Sequence, residues 1–182
     1  MQRQMQKIPF IDLAAQQSVL RPKIDAAIAE VLDAGAYIMG AHVKKFETEI
    51  AAFCGAKNAL GCANGTDALL LALKALGTGP GEAVFVPSFT FAATAEIVPA
   101  TGAVPWFVDV DESTFNMDPA SLSRSIEAAR SAGLKPSVVI PVDLFGLPAD
   151  LPSIEAIAKD HGLTVICDSA QGFGGRINGK MT

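Results

Sequence analysis

The stretch NALGCANGTDALLLALKALGTGPGEAVFV, residues 58–86, changes its hydrophobic period twice. Asn58–Cys62 reads as a short strand, and Thr66–Leu76 is a long, strongly apolar run that reads as a helix. The Gly- and Pro-rich run that follows Leu76 breaks it, and Ala83–Val86 is a second, wholly apolar strand. The same rhythm continues downstream. Thr90–Ala100 reads as a helix with a late Pro99, Val104–Val108 as a strand, and Pro119–Ala132 as a helix opened by Asp118. Ser137–Val142 is a strand, Pro152–Lys159 a helix and Leu163–Cys167 the last strand. Strands alternating with helices imply an α/β fold: a mostly parallel sheet covered by helices on both faces, hence three layers.

Two helices are expected upstream. Residues 21–34 carry Ile24, Ile28, Val31 and Leu32 at helical spacing, with Pro22 in the first turn and Gly35 past the end. Residues 43–53 repeat the pattern with Val43, Phe46, Ile50 and Phe53 and stop at Gly55.

Composition narrows the classes. The chain has 182 residues, enough for one sizeable core or the larger part of a bigger domain. Half of it is hydrophobic and 18% charged, as in a folded soluble protein. The net charge is −5 and Lys44-Lys45 is the one basic pair that stands out, which argues against nucleic acid as a partner. No apolar run approaches the roughly 20 residues of a membrane span, and no signal-peptide core opens the chain, so a cytoplasmic protein is expected. Cys54, Cys62 and Cys167 show no C-x-x-C spacing and read as buried free thiols. His42 and His161 lack ligand spacing and read as surface or helix-end residues, and no metal site is expected.

In parallel α/β sheets, ligands bind beyond the carboxyl ends of the strands. Four segments fall there: ANGTD, PSFTF, DVDESTF and DSAQG. Gly65-Thr66 at a helix start offers backbone N–H groups, a hydroxyl and the positive end of a helix dipole, which suits a phosphate. Equally, Thr66 or Asn64 could only cap the helix, and Asp67 would repel an anion unless turned away. Phe89 and Phe91, at the start of the next helix, could be core residues or could stack on a flat heterocycle. Asp168, with Gln171 three residues on, could hold a protonated ring nitrogen or merely bond its own turn. Asp109 and Asp111 read as a solvated turn. GFGGRING, with no helix after it, is no nicotinamide fingerprint.

The order and spacing of these segments resemble those of the DegT/DnrJ/EryC1/StrS sugar-nucleotide aminotransferases, pyridoxal-phosphate enzymes of fold type I. The motifs that carry the resemblance are IPFIDLAAQQ, AGAYIMGAHVKKFETEIAAFCGAK, CANGTDALLLALKALGTGPGEAVFVPSFTFAATAEIV, GAVPWFVDVDESTFNMDP, VIPVDLFGLPAD and VICDSAQGFGGRINGK. The resemblance implies that Gly65 and Thr66 bind the cofactor phosphate and that Phe91 stacks on the pyridine ring. It implies further that Asp168 pairs with the ring nitrogen, that Gln171 lies near the phenolic oxygen, and that Gly35 and Tyr37 touch the sugar nucleotide. The family carries the same Asp after its Gly-Thr, which weakens the anion objection.

The activity so implied is transamination of a nucleotide-linked keto-sugar with glutamate as amino donor, in a homodimer with shared active sites. UDP-linked 3-keto sugars, including a uronic acid, are slightly preferred over 4-keto and dTDP-linked ones. The family's Schiff-base lysine lies in a Ser-Phe-Phe-Pro-x-Lys type motif, which here is expected beyond Thr182, so no catalytic residue is visible in the chain. None of lysines 7, 23, 44, 45, 57, 74, 135, 159 and 180 has that context, and Lys180 follows a hairpin signal, Asn178-Gly179. Residues 1–182 are therefore expected to be an N-terminal segment plus most of the large domain, without the small domain, and inactive alone. A sugar dehydratase of the same family, with histidine in place of the lysine, and an inactive ligand-binding fragment are the alternatives. A nicotinamide-dependent dehydrogenase is disfavoured by the missing Gly-rich loop.

Overall fold

The computed structural model describes residues 8–181 and divides into two compact units. Thr182, beyond which the Schiff-base lysine is expected, lies outside the described residues. The first unit runs through Phe53 and includes Lys57–Ala59; the second holds Cys54–Ala56 and the chain from Leu60 onward.

The first unit is helical. Helix α1 spans Leu13–Ala34, so it starts eight residues before the expected 21. Its N-cap is Asp12, whose carboxylate accepts the Ala15 N–H at 2.9 Å. Pro22 therefore lies inside the helix rather than in its first turn. The aliphatic and polar run ahead of it has enough helical preference to propagate back to the first residue able to cap. Gly35 ends α1 as expected: at φ 62° it takes the left-handed conformation, and its N–H reaches the carbonyls of Val31 and Leu32. Helix α2 spans Ala41–Cys54.

The second unit is the α/β part. Its elements are α3 (Gly65–Ala75), β1 (Glu82–Pro87), α4 (Ala93–Glu96), β2 (Val104–Val108), α5 (Pro119–Ser131), β3 (Lys135–Val139), α6 (Leu151–His161), β4 (Thr164–Val165), β5 (Arg176–Ile177) and β6 (Lys180–Met181). Strands β1 to β4 form one parallel sheet in the order β2-β1-β3-β4. Strand β1 is central and its side chains alternate between two cores. Ala83 and Phe85 pack with Leu122 and Ile126 of α5 and with Ile154 and Ala158 of α6. Val84 and Val86 pack on the opposite face with Leu69 and Leu73 of α3, Ile97 and Val98. Burial on both faces is why the strand reads as a continuous apolar run rather than an alternating one. Each fully buried Phe, Leu or Ile side chain stabilises by about 1.5–3 kcal/mol relative to exposure.

Several elements differ from the expected ones. Asn58–Cys62 is not a strand. Leu60 is the one large apolar side chain it could bury, it stays 81% exposed, and the segment joins no ladder among the described residues. The helix expected over Thr90–Ala100 shrinks to α4 and a 3-10 turn at Pro99–Thr101, so Thr90 and Phe91 sit in a loop. That helix has no side-chain cap, and Pro99 limits it downstream. Strand β3 stops at Val139 and β4 at Val165 because Pro141 has no N–H to donate. The pairing nevertheless resumes past it: the Asp168 N–H donates to the Pro141 carbonyl at 2.9 Å and the Asp143 N–H to the Asp168 carbonyl at 3.0 Å. The expected hairpin is present as β5–β6, with Asn178 at φ 50° and Gly179 at φ 82°, as a type I′ turn requires. Lys180 opens β6, so it is a hairpin residue as its context suggests.

At the opposite, amino-terminal end of the sheet, Glu82 pairs in register with Lys135, and their side chains meet at 2.7 Å. The Lys135 hydrogen bond holds the Glu82 carboxyl below its ordinary 4.5, against a smaller opposing effect of burial. A depressed carboxyl stabilises the fold above its unfolded pKa, and that contribution is lost as pH falls through the folded one. With Lys135 well exposed, Glu82→Gln is expected to cost about 0.5–1 kcal/mol at pH 7 in urea denaturation. The difference between the two proteins should shrink as pH falls below the ordinary carboxyl range and through the depressed folded pKa.

Candidate active site

The rim of the second unit carries a cleft of about 210 Å³ lined by Gly65, Thr66, Thr90, Phe91, Asp168 and Gln171, among others. All five residues expected to hold a cofactor are thus brought together. They come from three loops spread over more than a hundred residues, so only the sheet topology unites them.

The first loop ends at α3. Asn64, in extended conformation, is the cap: its Oδ1 accepts the Asp67 N–H at 2.8 Å. Its Nδ2 donates to Asp67 Oδ2 at 3.0 Å, which turns that carboxylate back onto the cap. The capping alternative therefore holds for Asn64 and not for Thr66, and both can be true of the segment. Gly65 and Thr66 occupy the first helical positions, where N–H groups have no carbonyl four residues back. The Thr66 hydroxyl makes no hydrogen bond among the described residues. A Cβ added to Gly65 would meet no protein atom within 4 Å, so the space beside it is open.

The second loop carries the aromatics. Phe91 is 70% exposed and lines the cleft. Phe89 turns elsewhere and meets Phe115 and Phe145, with ring centroids 5.6 and 6.4 Å away. Neither is a core residue, because both follow the end of β1 and precede any helix that could cover them.

The third loop holds Asp168. Its backbone continues the ladder to β3, which fixes its position; Oδ1 accepts the Ala170 N–H at 3.1 Å and Oδ2 lies 3.5 Å from the hydroxyl of buried Thr94. No cation pairs with it among the described residues. It therefore bonds its own turn and also faces the cleft. Gln171 accepts the Phe145 N–H through Oε1 at 2.8 Å, which decides the amide orientation and leaves its NH₂ as an unused donor.

Two supports were not visible in the sequence. Asp143 is 2% exposed; its carboxylate accepts the Ala149 N–H at 2.9 Å and the Ser169 hydroxyl at 2.8 Å. It braces the loop that presents Asp168 and Gln171. Gly172 lies against it so closely that a Cβ there would collide with the Asp143 side chain. Only the capping pattern of Asn64 could have been found from sequence; Asp143 acts across 26 residues.

Asp111 is a turn residue: its carboxylate accepts from the N–H and hydroxyl groups of Ser113 and Thr114, and the Ser113 bonds hold it below its ordinary 3.8. A larger hollow of about 470 Å³ includes Asp111, Asp118 and Asp150, but these carboxylates are already spent on turn and helix caps. Cys62 and Cys167 reach the surface, and Cys54 is half-buried, so the expectation of buried thiols fails. Although Cys167 reaches the surface, partial desolvation of its thiol, and then the charges of Asp143 and Glu155, push it up to about 11. His161, half-buried, ends α6 beside Arg130 at 3.0 Å, and exposed His42 lies 3.2 Å from Glu30. Gly35 and Tyr37 belong to the first unit, where Gly35 closes α1 and Tyr37 is 67% exposed. Among the described residues no helix is long and apolar enough to cross a membrane.

The donor set fits pyridoxal phosphate. It offers helix-start N–H groups and a hydroxyl for a phosphoryl group, an anionic acceptor for a protonated ring nitrogen, and an exposed aromatic face.

The chain is similar to known proteins over nearly its whole length. The profile of the DegT/DnrJ/EryC1/StrS aminotransferase family matches residues 19–182. The chain is 47% identical over 173 residues to UDP-N-acetyl-3-dehydro-alpha-D-glucosamine 3-aminotransferase of Acidithiobacillus ferrooxidans, covering 95% of this chain and 45% of that protein. It is 47% identical over 175 residues to UDP-2-acetamido-2-deoxy-3-oxo-D-glucuronate aminotransferase of Pseudomonas aeruginosa, covering 96% of this chain and 47% of that protein. The crystal structure of a DegT DnrJ EryC1 StrS aminotransferase from Brucella abortus superposes with a TM-score of 0.93 at 47% identity, covering 96% of this chain and 47% of that one. The chain thus spans about half the length of the relatives it matches. By its sequence and by the architecture that gathers these rim loops, the chain belongs to the DegT/DnrJ/EryC1/StrS aminotransferase family.

Proposed function

We propose that residues 60–181 form most of the cofactor-binding domain of a pyridoxal-phosphate aminotransferase. Its substrate is a nucleotide-linked keto-sugar and its amino donor glutamate. One observation carries this reading: the Gly65-Thr66 helix start and the Asp168 carboxylate open into the same cleft, flanked by Phe91 and Gln171. Pyridoxal phosphate, when bound, supplies an electron-accepting ring that stabilises negative charge on the carbon losing its proton. The chain's own residues make that ring effective. Asp168, held by the ladder to β3, keeps the ring nitrogen protonated. The N–H groups of Gly65 and Thr66, with the Thr66 hydroxyl, anchor the phosphoryl group at the positive end of α3. Phe91 covers one ring face, and the free Gln171 amide N–H donates to the phenolic oxygen.

The names of two 47%-identical relatives support a UDP-linked 3-keto sugar as acceptor, with a uronate among the candidates. Gly35 and Tyr37 are further proposed to touch the nucleotide sugar. The working form is a cytoplasmic homodimer with shared active sites, and the lysine that holds the cofactor is assigned to sequence beyond Thr182. Incubating the complete polypeptide with glutamate and a panel of UDP- and dTDP-linked 3-keto and 4-keto sugars tests the reading. An amino-sugar formed fastest from the UDP-3-keto substrate is expected. Loss of a sugar hydroxyl without amino transfer would instead indicate the dehydratase chemistry.

A further inference from the structure

Thr90 is the polar side chain lining this cleft to which the family roles assign nothing. Its hydroxyl oxygen is buried and has no hydrogen-bond partner; no other buried side-chain nitrogen or oxygen is left so among the described residues. Buried polar groups are almost always paired, and an unpaired one is a net cost to the fold. Thr90 lines the same cleft as Gly65, Thr66 and Asp168. The loop that carries it is fixed at both ends: the Ser88 N–H donates to the Val108 carbonyl at 2.8 Å, and the Thr94 N–H to the Phe91 carbonyl at 3.2 Å. Phe89 and Phe91 on either side are engaged elsewhere, in the aromatic cluster and the cleft wall, so Thr90 has little freedom to seek another partner.

We infer that Thr90 is a further cofactor-binding residue, whose hydroxyl donates a hydrogen bond to an oxygen of the bound pyridoxal phosphate. The ligand then completes a bond the protein leaves unmade. The inference rests on the cofactor reading above and adds to it a residue with a distinct signature. A residue that serves the fold loses stability when its hydroxyl is removed. A residue that waits for a ligand does not.

Pyridoxamine 5′-phosphate is the probe, because it forms no imine with lysines. It is titrated into the complete polypeptide by absorbance or fluorescence, alongside Thr90→Val and Thr90→Ser, and the melting temperature of each ligand-free protein is measured. Thr90→Val is expected to bind about tenfold more weakly, while Thr90→Ser stays within about twofold of the parent. The ligand-free Val protein should melt no lower than the parent, since the isosteric methyl removes an unpaired buried hydroxyl. Equal affinity of the Val protein, or a lower melting temperature without ligand, overturns the inference and leaves the cofactor reading intact. Failure of the parent itself to bind the probe overturns both.

Discussion

Asp168→Asn is expected to lower the proposed amino transfer by the complete polypeptide on the order of 10²–10⁴-fold, with little change in stability. Asparagine is nearly isosteric. Its side-chain oxygen can keep the Ala170 N–H, and the backbone bonds to Pro141 and Asp143 are untouched. What disappears is the negative charge that, in the proposed role, favours a proton on the ring nitrogen. Without it the ring is a weaker acceptor for charge developing on the reacting carbon. Cofactor affinity should fall about 10- to 100-fold, the value of a charge-assisted hydrogen bond. Single-turnover reaction with glutamate, followed by absorbance, separates the two effects. A variant that reacts within about tenfold of the parent would contradict the role assigned to this carboxylate.

The largest stability effect belongs to a glycine that has no unusual backbone. Gly172 is not in the left-handed region, so its requirement is one of space alone. Gly172→Ala drives a methyl into the Asp143 side chain, and Asp143 cannot withdraw without abandoning Ala149 and Ser169. Overpacking together with a disturbed buried carboxylate is expected to cost about 2–4 kcal/mol in chemical denaturation. Because the same loop presents Asp168 and Gln171, cofactor binding should weaken in parallel. A loss below about 0.5 kcal/mol would mean that the loop yields more readily than its hydrogen bonds suggest.

What the sequence discloses depends on how local the cause is. Helix α5 was legible because Asp118 precedes a proline-bearing first turn and caps it with its own side chain; Asp150 caps α6 in the same way, a signal the sequence reading did not use. The β5–β6 hairpin was legible from Asn178-Gly179, whose positive φ values belong to those two residues alone. Strands β1 and β2 matched their apolar runs to within a residue. Asn58–Cys62 misled because an apolar run becomes a strand only beside a partner, and none pairs with it among the described residues. Pro22 misled because proline suits a first turn without requiring one, and Asp12 offered the earlier cap.

The site divides the same way. Gly65, Thr66, Phe91, Asp168 and Gln171 were recognised through motif order, which carries chemistry, and the fold then supplied their proximity. Asp143, Gly172 and the orphaned Thr90 hydroxyl gain their meaning only from tertiary contact. Asn64 sat in plain view as a cap. Its second role, holding the Asp67 carboxylate, emerges only once the side chains are placed.

The most direct measurement is a crystal structure of the complete polypeptide with pyridoxamine 5′-phosphate bound. Phosphoryl oxygens are expected within hydrogen-bond distance of the Gly65 and Thr66 N–H groups, and the ring nitrogen within hydrogen-bond distance of Asp168. A ligand seated elsewhere on the rim, or one whose ring nitrogen faces no carboxylate, would contradict the cofactor assignment.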